Sequence, residues 1–185
     1  MRRLTSFTML SVDGCYADAD GDMGFAHQND PEWNAFTNEN AKAGGALIFG
    51  RVTYQMMAGF WPTPQAAAQM PQVAERMNAL PKIVVSRTLA EATWRNTTLI
   101  SGNLVGEIRR LKAADGPEMA ILGSGSLVAQ LAEAGLIDEL TLAVNPLVLG
   151  GGKRLFDGIG KALALTLTGS RAFRNGAVVS TYAPG

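Results

Sequence analysis

Residues Ala46–Thr53, with the sequence ALIFGRVT, decide the predicted fold class because they join a buried strand directly to a helix. The apolar run Ala46–Phe49 is long enough only for a buried strand, and Gly50 closes it. Residues Val52–Phe60 then have the pattern of a helix. A strand that leads straight into a helix is the unit from which sheets of mostly parallel strands are built.

The same order of strand and helix repeats along most of the chain. The chain ends differently, with two alternating segments on either side of Asn175-Gly176, which is a strong hairpin signal. We therefore expect one α/β domain over residues 1–185, with a mostly parallel sheet, helices on both faces and a C-terminal antiparallel hairpin. The predicted strands are Leu4–Val12, Ala46–Phe49, Lys82–Ser86, Thr98–Ser101, Met119–Leu122, Glu139–Val144, Ala162–Thr168 and Ala177–Tyr182, and the predicted helices are Pro31–Lys42, Val52–Phe60, Pro64–Leu80 with a break at Pro71, Leu104–Ala114 and Ser126–Ala134.

The composition excludes several classes of protein. Sixteen Lys and Arg residues balance sixteen Asp and Glu residues, so the chain has no excess of positive charge for nucleic acid or an anionic membrane. With 47% hydrophobic and 17% charged residues, it is too apolar for a disordered chain. Cys15 and His27 are the only residues of their types, which excludes an internal disulfide and a zinc site built from several Cys or His side chains.

The sequence carries neither a targeting signal nor a hydrolase motif. Ser, Thr and Asp13 interrupt the N-terminal apolar run before a signal-peptide core forms, and no run of about 18 apolar residues predicts a membrane-spanning helix. We therefore expect a cytoplasmic protein. Any Ser-His-Asp triad would have to use His27, and no G-x-S-x-G turn is present, which argues against a hydrolase.

Two glycine-containing turns follow predicted buried strands and begin predicted helices. They are Gly50-Arg51-Val52-Thr53 and Gly123-Ser124-Gly125-Ser126. Ligands of α/β sheets bind at the carboxyl ends of strands, where helix N-termini offer N–H groups to a phosphate. The second turn is not the Rossmann fingerprint, because Val128 stands where the third glycine belongs. The alternative is structural, with Thr53 and Ser126 acting only as helix caps.

Two arginines stand at the ends of predicted strands. Arg51 follows Gly50, and Arg87 forms an anion-binding pair with Ser86 at the end of the next strand. An adenosine 2′-phosphate is bound by an arginine in such a place, whereas a bare 2′-hydroxyl is bound by an acidic residue, and none directly follows either strand. The alternative for an isolated Ser-Arg pair is an ordinary surface loop.

Asp30 admits two roles. Asp30-Pro31-Glu32 has the residue types of a helix N-terminus, with an N-cap, a proline at the first helical position and an acid in the first turn. The same helix follows the loop after the first strand, so the carboxyl group could instead lie in the active-site cleft. Both roles stay open.

Five motifs follow one another along the chain: Ser11-Val12-Asp13-Gly14, Gly50-Arg51-Val52-Thr53-Tyr54, Lys82-Ile83-Val84-Val85-Ser86-Arg87, Leu122-Gly123-Ser124-Gly125-Ser126, and Pro146–Gly152 with Leu155-Phe156. In this order and spacing they resemble the dihydrofolate reductase-like family. The closer resemblance is to its branch similar to the reductase domain of the bifunctional riboflavin-biosynthesis deaminase–reductase. The resemblance spans nearly the whole chain. The sequence has no set of zinc ligands, so the resemblance does not extend to the deaminase half of the bifunctional enzyme.

The resemblance implies a three-layer α/β/α fold around a mixed sheet, with NADPH bound across the strand ends. Asp30 resembles the substrate-binding carboxylate of dihydrofolate reductases and is the candidate catalytic residue. The candidate cofactor-binding residues are Asp13, Gly50, Arg51, Thr53, Ser86, Arg87, Gly123, Ser124, Gly125 and Ser126.

These observations predict an NADPH-dependent reductase that transfers hydride to a small heterocyclic or carbonyl-type substrate. The nearest implied activity is 5-amino-6-(5-phosphoribosylamino)uracil reductase of riboflavin biosynthesis. One alternative is a dihydrofolate reductase, in which Asp30 would anchor or protonate the pterin. The other is a nucleotide-binding module without turnover, which the scarcity of histidine and of acid–base pairs favours.

The C-terminal hairpin predicts a homodimer. Its strands lack the lysines and prolines that protect an exposed edge, and its charges, Arg171 and Arg174, are expected in the turn. A two-fold dimer is the commonest way to cover such an edge. The alternative is a monomer whose own helices close the hairpin.

Overall fold

A mixed eight-stranded sheet forms the centre of the protein, in a computed structural model that describes residues 1–26, 30–42 and 45–185. Its strand order is β5-β4-β3-β6-β1-β7-β10-β9, and β2 and β8 form a separate two-stranded sheet. The strands are β1 (Leu4–Leu10), β2 (Cys15–Ala17), β3 (Ala46–Gly50), β4 (Lys82–Val85), β5 (Thr97–Ile100), β6 (Met119–Leu122), β7 (Glu139–Val144), β8 (Lys153–Arg154), β9 (Leu165–Ala172) and β10 (Val178–Pro184). The helices are α1 (Pro31–Lys42), α2 (Arg51–Phe60), α3 (Pro64–Gln69), α4 (Pro71–Ala79), α5 (Leu104–Ala113) and α6 (Gly125–Glu133), with a 3-10 turn at Gly24–Ala26.

The predicted α/β architecture is confirmed. In the eight-stranded sheet, strands β1, β3, β4, β5, β6 and β7 pair in parallel, and β10 and β9 add antiparallel pairs at one side. Pro71 separates α3 from α4 as expected, because a proline removes a helical hydrogen bond and clashes with the preceding turn. None of the helices in the described ranges is long and apolar enough to cross a membrane.

Successive side chains of the strands point to opposite faces of the sheet. The core therefore has a part on each face, and each part is covered by its own layer of helices. On one face, Leu4 and Ile48 pack with Ile108 of α5 and Leu131 of α6. On the other face, residues of the opposite parity meet α1, α2 and α4. This gives the three layers expected from the resemblance, with the sheet covered on both faces.

Three sequence predictions are wrong in detail. The hairpin strand β9 begins at Leu165 rather than at Ala162 and continues through Arg171, which therefore lies in the strand and not in the turn. Arg171 pairs with Val179 of β10, and the register of the two strands shifts further along, between Thr181 and Tyr182. Strand β2 is not among the predicted strands, because its three residues are too few to show in the sequence pattern.

The third error concerns the start of α6. Ser124, not Ser126, occupies the N-cap position, because it adopts the left-handed conformation and the helix starts at Gly125. Ser126 is an exposed residue of the first helical turn. His27, which the sequence analysis singled out, lies outside the described residues.

Candidate active site

All five sequence motifs lie at one edge of the sheet. They follow β4, β3, β6, β1 and β7, which are neighbours in the sheet and parallel to one another. We call this set of turns the carboxyl edge. Motifs that are far apart in the chain meet here because the carboxyl ends of parallel strands share one side of a sheet.

The two glycine-containing turns are joined directly. The amide of Gly50 donates a hydrogen bond to Oγ of Ser124, with a distance of 2.7 Å. A Cβ at Gly123 would lie 3.7 Å from Cγ2 of Thr53, so these residues also pack side by side. Gly123 and Ser124 both have positive φ angles, of 67° and 55°. The turn after β6 therefore bends sharply and leaves the first amides of α6 at the carboxyl edge.

Gly125 lies against an aromatic ring. A Cβ at this position would overlap the ring of Tyr16, which comes from β2. Burial, together with the carboxylate of Asp157, raises the pKa of Tyr16 above its usual value, so its hydroxyl keeps its proton at neutral pH. Tyr16 thus forms one wall of the turn, and glycine is the residue that fits beside it.

Ser86 and Arg87 directly follow β4, which ends at Val85 and not at Ser86 as predicted, and they lie beside the turn that follows β3. Oγ of Ser86 accepts hydrogen bonds from the amides of Thr88, at 3.1 Å, and Leu89, at 2.9 Å, so the hydroxyl shapes its own turn. Arg87 is exposed. Arg51 is also exposed and donates to Oε1 of Gln55 within α2. The carboxyl edge therefore presents two solvent-facing guanidinium groups.

Asp13 ties two loops of the carboxyl edge together. Its carboxylate accepts hydrogen bonds from the amides of Leu149, at 3.1 Å, and Gly150, at 3.0 Å. The Ser11 hydroxyl and these two amides lower the pKa of Asp13 to about 2. Since its two oxygens each accept a backbone amide, Asp13 positions the glycine-rich loop after β7.

Asp30 occupies the N-cap position of α1. Its Oδ1 accepts a hydrogen bond of 2.8 Å from the amide of Trp33. Trp33 is buried and packs edge-on against Phe173, with 5.1 Å between the ring centroids. The structure therefore places Asp30 where the helix-cap interpretation expects it, and Asp30 is not among the described residues that line the cleft.

A cleft of about 720 Å³ opens on the sheet face that α1, α2 and α4 cover. Its floor is a row across the sheet in which Phe7 pairs with Leu122 on one side and with Thr141 on the other, and Thr141 pairs with Thr181. Thr53 and Gly123 line the same cleft, so it is continuous with the carboxyl edge. The apolar walls are formed by Met9, Met23, Phe36, Met56, Met57, Trp61, Val73 and Met77.

The charged residues that line the cleft balance one another. Arg3 and Arg171 are its described cations, and Glu118 and Glu139 are its described anions. Arg3 forms an ion pair with Glu139 at 2.7 Å. Arg171 pairs at 2.9 Å with Glu32, which stands at the start of α1. The guanidinium of Arg171 also lies 4.4 Å from the ring centroid of Phe173.

Sequence reasoning missed four residues of this region. Thr141 and Thr181 lie on ordinary alternating strands, and only the strand register brings their hydroxyls together. Arg171 was expected in a turn, and Tyr16 carried no motif of its own. A signal was present only for Arg171, as a charge within an otherwise uncharged strand segment.

Comparison with known proteins agrees with this geometry. A family model described as the RibD C-terminal domain matches residues 2–179. A putative riboflavin biosynthesis protein from Shewanella sp. PV-4 is 24% identical with a TM-score of 0.78, and the alignment covers 99% of both chains.

Two further solved structures share the fold at lower identity. The diaminohydroxyphosphoribosylaminopyrimidine deaminase/5-amino-6-(5-phosphoribosylamino)uracil reductase of Thermotoga maritima is 13% identical with a TM-score of 0.71, over 100% of this chain and 57% of that one. Dihydrofolate reductase from Enterococcus faecalis, complexed with NADP(H), is 15% identical with a TM-score of 0.65, over 99% and 96%. The dihydrofolate reductase-like fold is therefore confirmed.

Proposed function

The chain belongs to the RibD C-terminal domain family, and from this premise we propose that it is an NADPH-dependent reductase. It transfers hydride to a small heterocyclic or carbonyl-type substrate. The nearest named activity is that of the Thermotoga maritima relative, a 5-amino-6-(5-phosphoribosylamino)uracil reductase.

The observation that carries the proposal is the continuity of the carboxyl edge with the cleft. Thr53 and Gly123 belong to the two joined turns and also line the cleft. A ligand held along the turns would therefore touch a second ligand in the cleft. Hydride transfer needs this arrangement, because donor and acceptor must be in contact and shielded from water.

The residues of the carboxyl edge fit a phosphorylated dinucleotide. The left-handed Gly123 and Ser124 bend the backbone at the positive end of α6, and we assign the pyrophosphate to this turn, where Gly125 is buried beside the ring of Tyr16. Exposed Arg51 and Arg87 supply charge for further phosphate groups, including an adenosine 2′-phosphate. When bound, NADPH would supply the hydride.

The side chains of the protein have the remaining tasks in this proposal. Asp13 holds the loop after β7 in place, and Ser124 fixes the distance between the two glycine-containing turns. The apolar walls of the cleft exclude water from the acceptor. In this proposal Asp30 acts as a helix cap and is not assigned a part in the reaction.

The test is NADPH oxidation, followed by absorbance, with two substrates in parallel. We expect turnover with an aminopyrimidine of the riboflavin pathway, supplied with and without its phosphate, and none with dihydrofolate. Turnover with dihydrofolate alone would favour the dihydrofolate reductase. Binding of NADPH without turnover of either compound would favour a nucleotide-binding module.

We also propose that the protein is a homodimer that pairs through β9. Every residue of β9 is exposed, its outer edge has no partner among the described strands, and it contains no lysine or proline. Leu167 on this strand is 55% exposed. Light scattering should give about twice the 19.5 kDa chain mass at micromolar concentration, and Leu167→Lys should shift it to the chain mass. A wild-type protein at the chain mass would contradict the dimer.

A further inference from the structure

We propose that the cleft takes an uncharged, flat ring compound without a phosphate group, and that Thr141 and Thr181 select it. This inference rests on the proposed function and narrows its substrate. It separates this chain from a reductase built for a sugar phosphate, because among the described residues the features that fit a phosphate lie at the carboxyl edge and not in the cleft.

The first argument is the charge of the cleft. A phosphate monoester carries nearly two negative charges at neutral pH and needs a surplus of cations to replace its hydration. The two arginines lining the cleft are matched by Glu118 and Glu139, and both already pair with a carboxylate. A phosphorylated substrate would therefore gain no net attraction from the described lining residues.

The second argument is the pair of hydroxyl groups on the cleft floor. Oγ1 of Thr141 and Oγ1 of Thr181 are 3.3 Å apart and share a hydrogen bond. A hydroxyl has one proton and two lone pairs, so the pair still offers one donor and several acceptor positions to a ligand. This set is neutral and matches the alternating N–H and C=O groups along the edge of an uncharged heterocycle.

The third argument is the shape and chemistry of the walls. The hydroxyl pair stands beside Phe7 in the sheet, and Phe36 of α1 lines the same cleft. Met56 and Met57 of α2 contribute flexible, polarisable side chains, which adapt to the faces of aromatic rings. The volume of about 720 Å³ is in the range of pockets for small organic ligands. A flat ring compound therefore finds apolar walls for its faces and hydroxyls for its edge.

The experiment compares two fluorescent probes that share one ring system, riboflavin and its 5′-phosphate, FMN. Both are titrated by fluorescence in saturating NADP⁺. NADP⁺ cannot reduce a flavin, and it occupies the carboxyl edge, so the phosphate of FMN cannot bind there. We expect riboflavin to bind at least about tenfold more tightly than FMN, because only FMN must bring an uncompensated dianion into the cleft. Equal or tighter FMN binding, or no riboflavin binding up to millimolar concentration, would overturn the proposal.

Four variants test whether riboflavin and FMN bind in the cleft and whether the hydroxyl pair contacts riboflavin. Thr141→Val and Thr181→Val keep the shape of the side chain and should each weaken riboflavin about three- to tenfold. Thr98→Val, on an exposed position of β5, is the matched control and should change nothing. Glu139→Gln frees Arg3 from its carboxylate and should tighten FMN alone. Unchanged riboflavin affinity in both cleft variants would overturn the role of the hydroxyl pair.

A separate titration with NADP⁺ alone keeps the two proposals apart. The cleft variants should bind NADP⁺ like the wild type. If the wild type does not bind NADP⁺, the proposed reductase function fails, while the effect of Thr141→Val and Thr181→Val on riboflavin affinity still tests the cleft.

Discussion

The carboxyl edge and the cleft touch each other at Thr53 and Gly123, yet they are formed by different parts of the protein. The carboxyl edge consists of turns, which present backbone amides, hydroxyls and two exposed arginines. The cleft consists of side chains on strands and helices, with apolar walls and paired charges. The difference indicates that the two regions select ligands differently, the carboxyl edge by charge and the cleft by shape and neutral hydrogen bonds.

Gly125→Val is expected to cause the largest loss of NADPH affinity at the carboxyl edge, and it thereby tests the contrast between the two regions. A side chain at this position overlaps the ring of Tyr16 and covers the backbone that a pyrophosphate would approach. We expect NADPH binding to be abolished while the fold survives, as measured by calorimetric titration and circular dichroism. Unchanged NADPH affinity in a folded variant would mean that the turn only begins α6 and does not bind the cofactor.

The double variant Gly125→Ala with Tyr16→Ala distinguishes the two reasons for the glycine. If Gly125 only accommodates the ring of Tyr16, removing the ring restores NADPH affinity. If the backbone itself contacts the pyrophosphate, affinity stays low. We expect the second result, with Tyr16→Ala alone as the matched control.

An intermediate loss of NADPH affinity is expected from Arg87→Ala. Loss of one hydrogen bond to a charged group costs about 1.5–3 kcal/mol, so NADPH affinity should fall roughly ten- to hundredfold. NADH affinity should stay nearly unchanged, because NADH lacks the 2′-phosphate. Arg109→Ala, at an exposed position of α5, is the control. Equal losses for both cofactors would contradict the assignment of Arg87.

The smallest effect on cofactor affinity is expected from Asp13→Asn, because Asp13 acts through a loop. Its folded-state pKa of about 2 lies below the ordinary 3.8, so its stabilising contribution is present above pH 4 and is lost as the pH falls toward 2. The amide NMR signals of Leu149 and Gly150 should shift in this window in the wild type and should not in Asp13→Asn. A midpoint near pH 4 would mean that the carboxylate is not engaged with the loop.

The sequence allowed the carboxyl edge to be predicted but not the cleft. Strand and helix patterns are local, and once the strands are parallel their following turns must share an edge, as Gly50 and Ser124 do. The contact between Thr141 and Thr181 depends instead on antiparallel register, which no local pattern fixes. For the same reason the extent of β9 was misjudged, since its pairing with β10 continues to Ala172.

The contact of Tyr16 with Gly125 shows a second limit. Strand β2 has three residues and pairs with a two-residue strand from the far end of the chain. So short a pairing leaves no periodicity in the sequence. The glycine was predicted as functional from its turn, whereas the aromatic residue that also constrains it became visible only in three dimensions.

A crystal structure of the protein soaked with NADPH would locate the dinucleotide relative to both the carboxyl edge and the cleft. We expect the pyrophosphate on the amides of Gly123–Ser126, the 2′-phosphate within hydrogen-bond distance of Arg87, and the nicotinamide at the end of the cleft next to Thr53. A dinucleotide bound elsewhere, or with its phosphates inside the cleft, would contradict the proposed function.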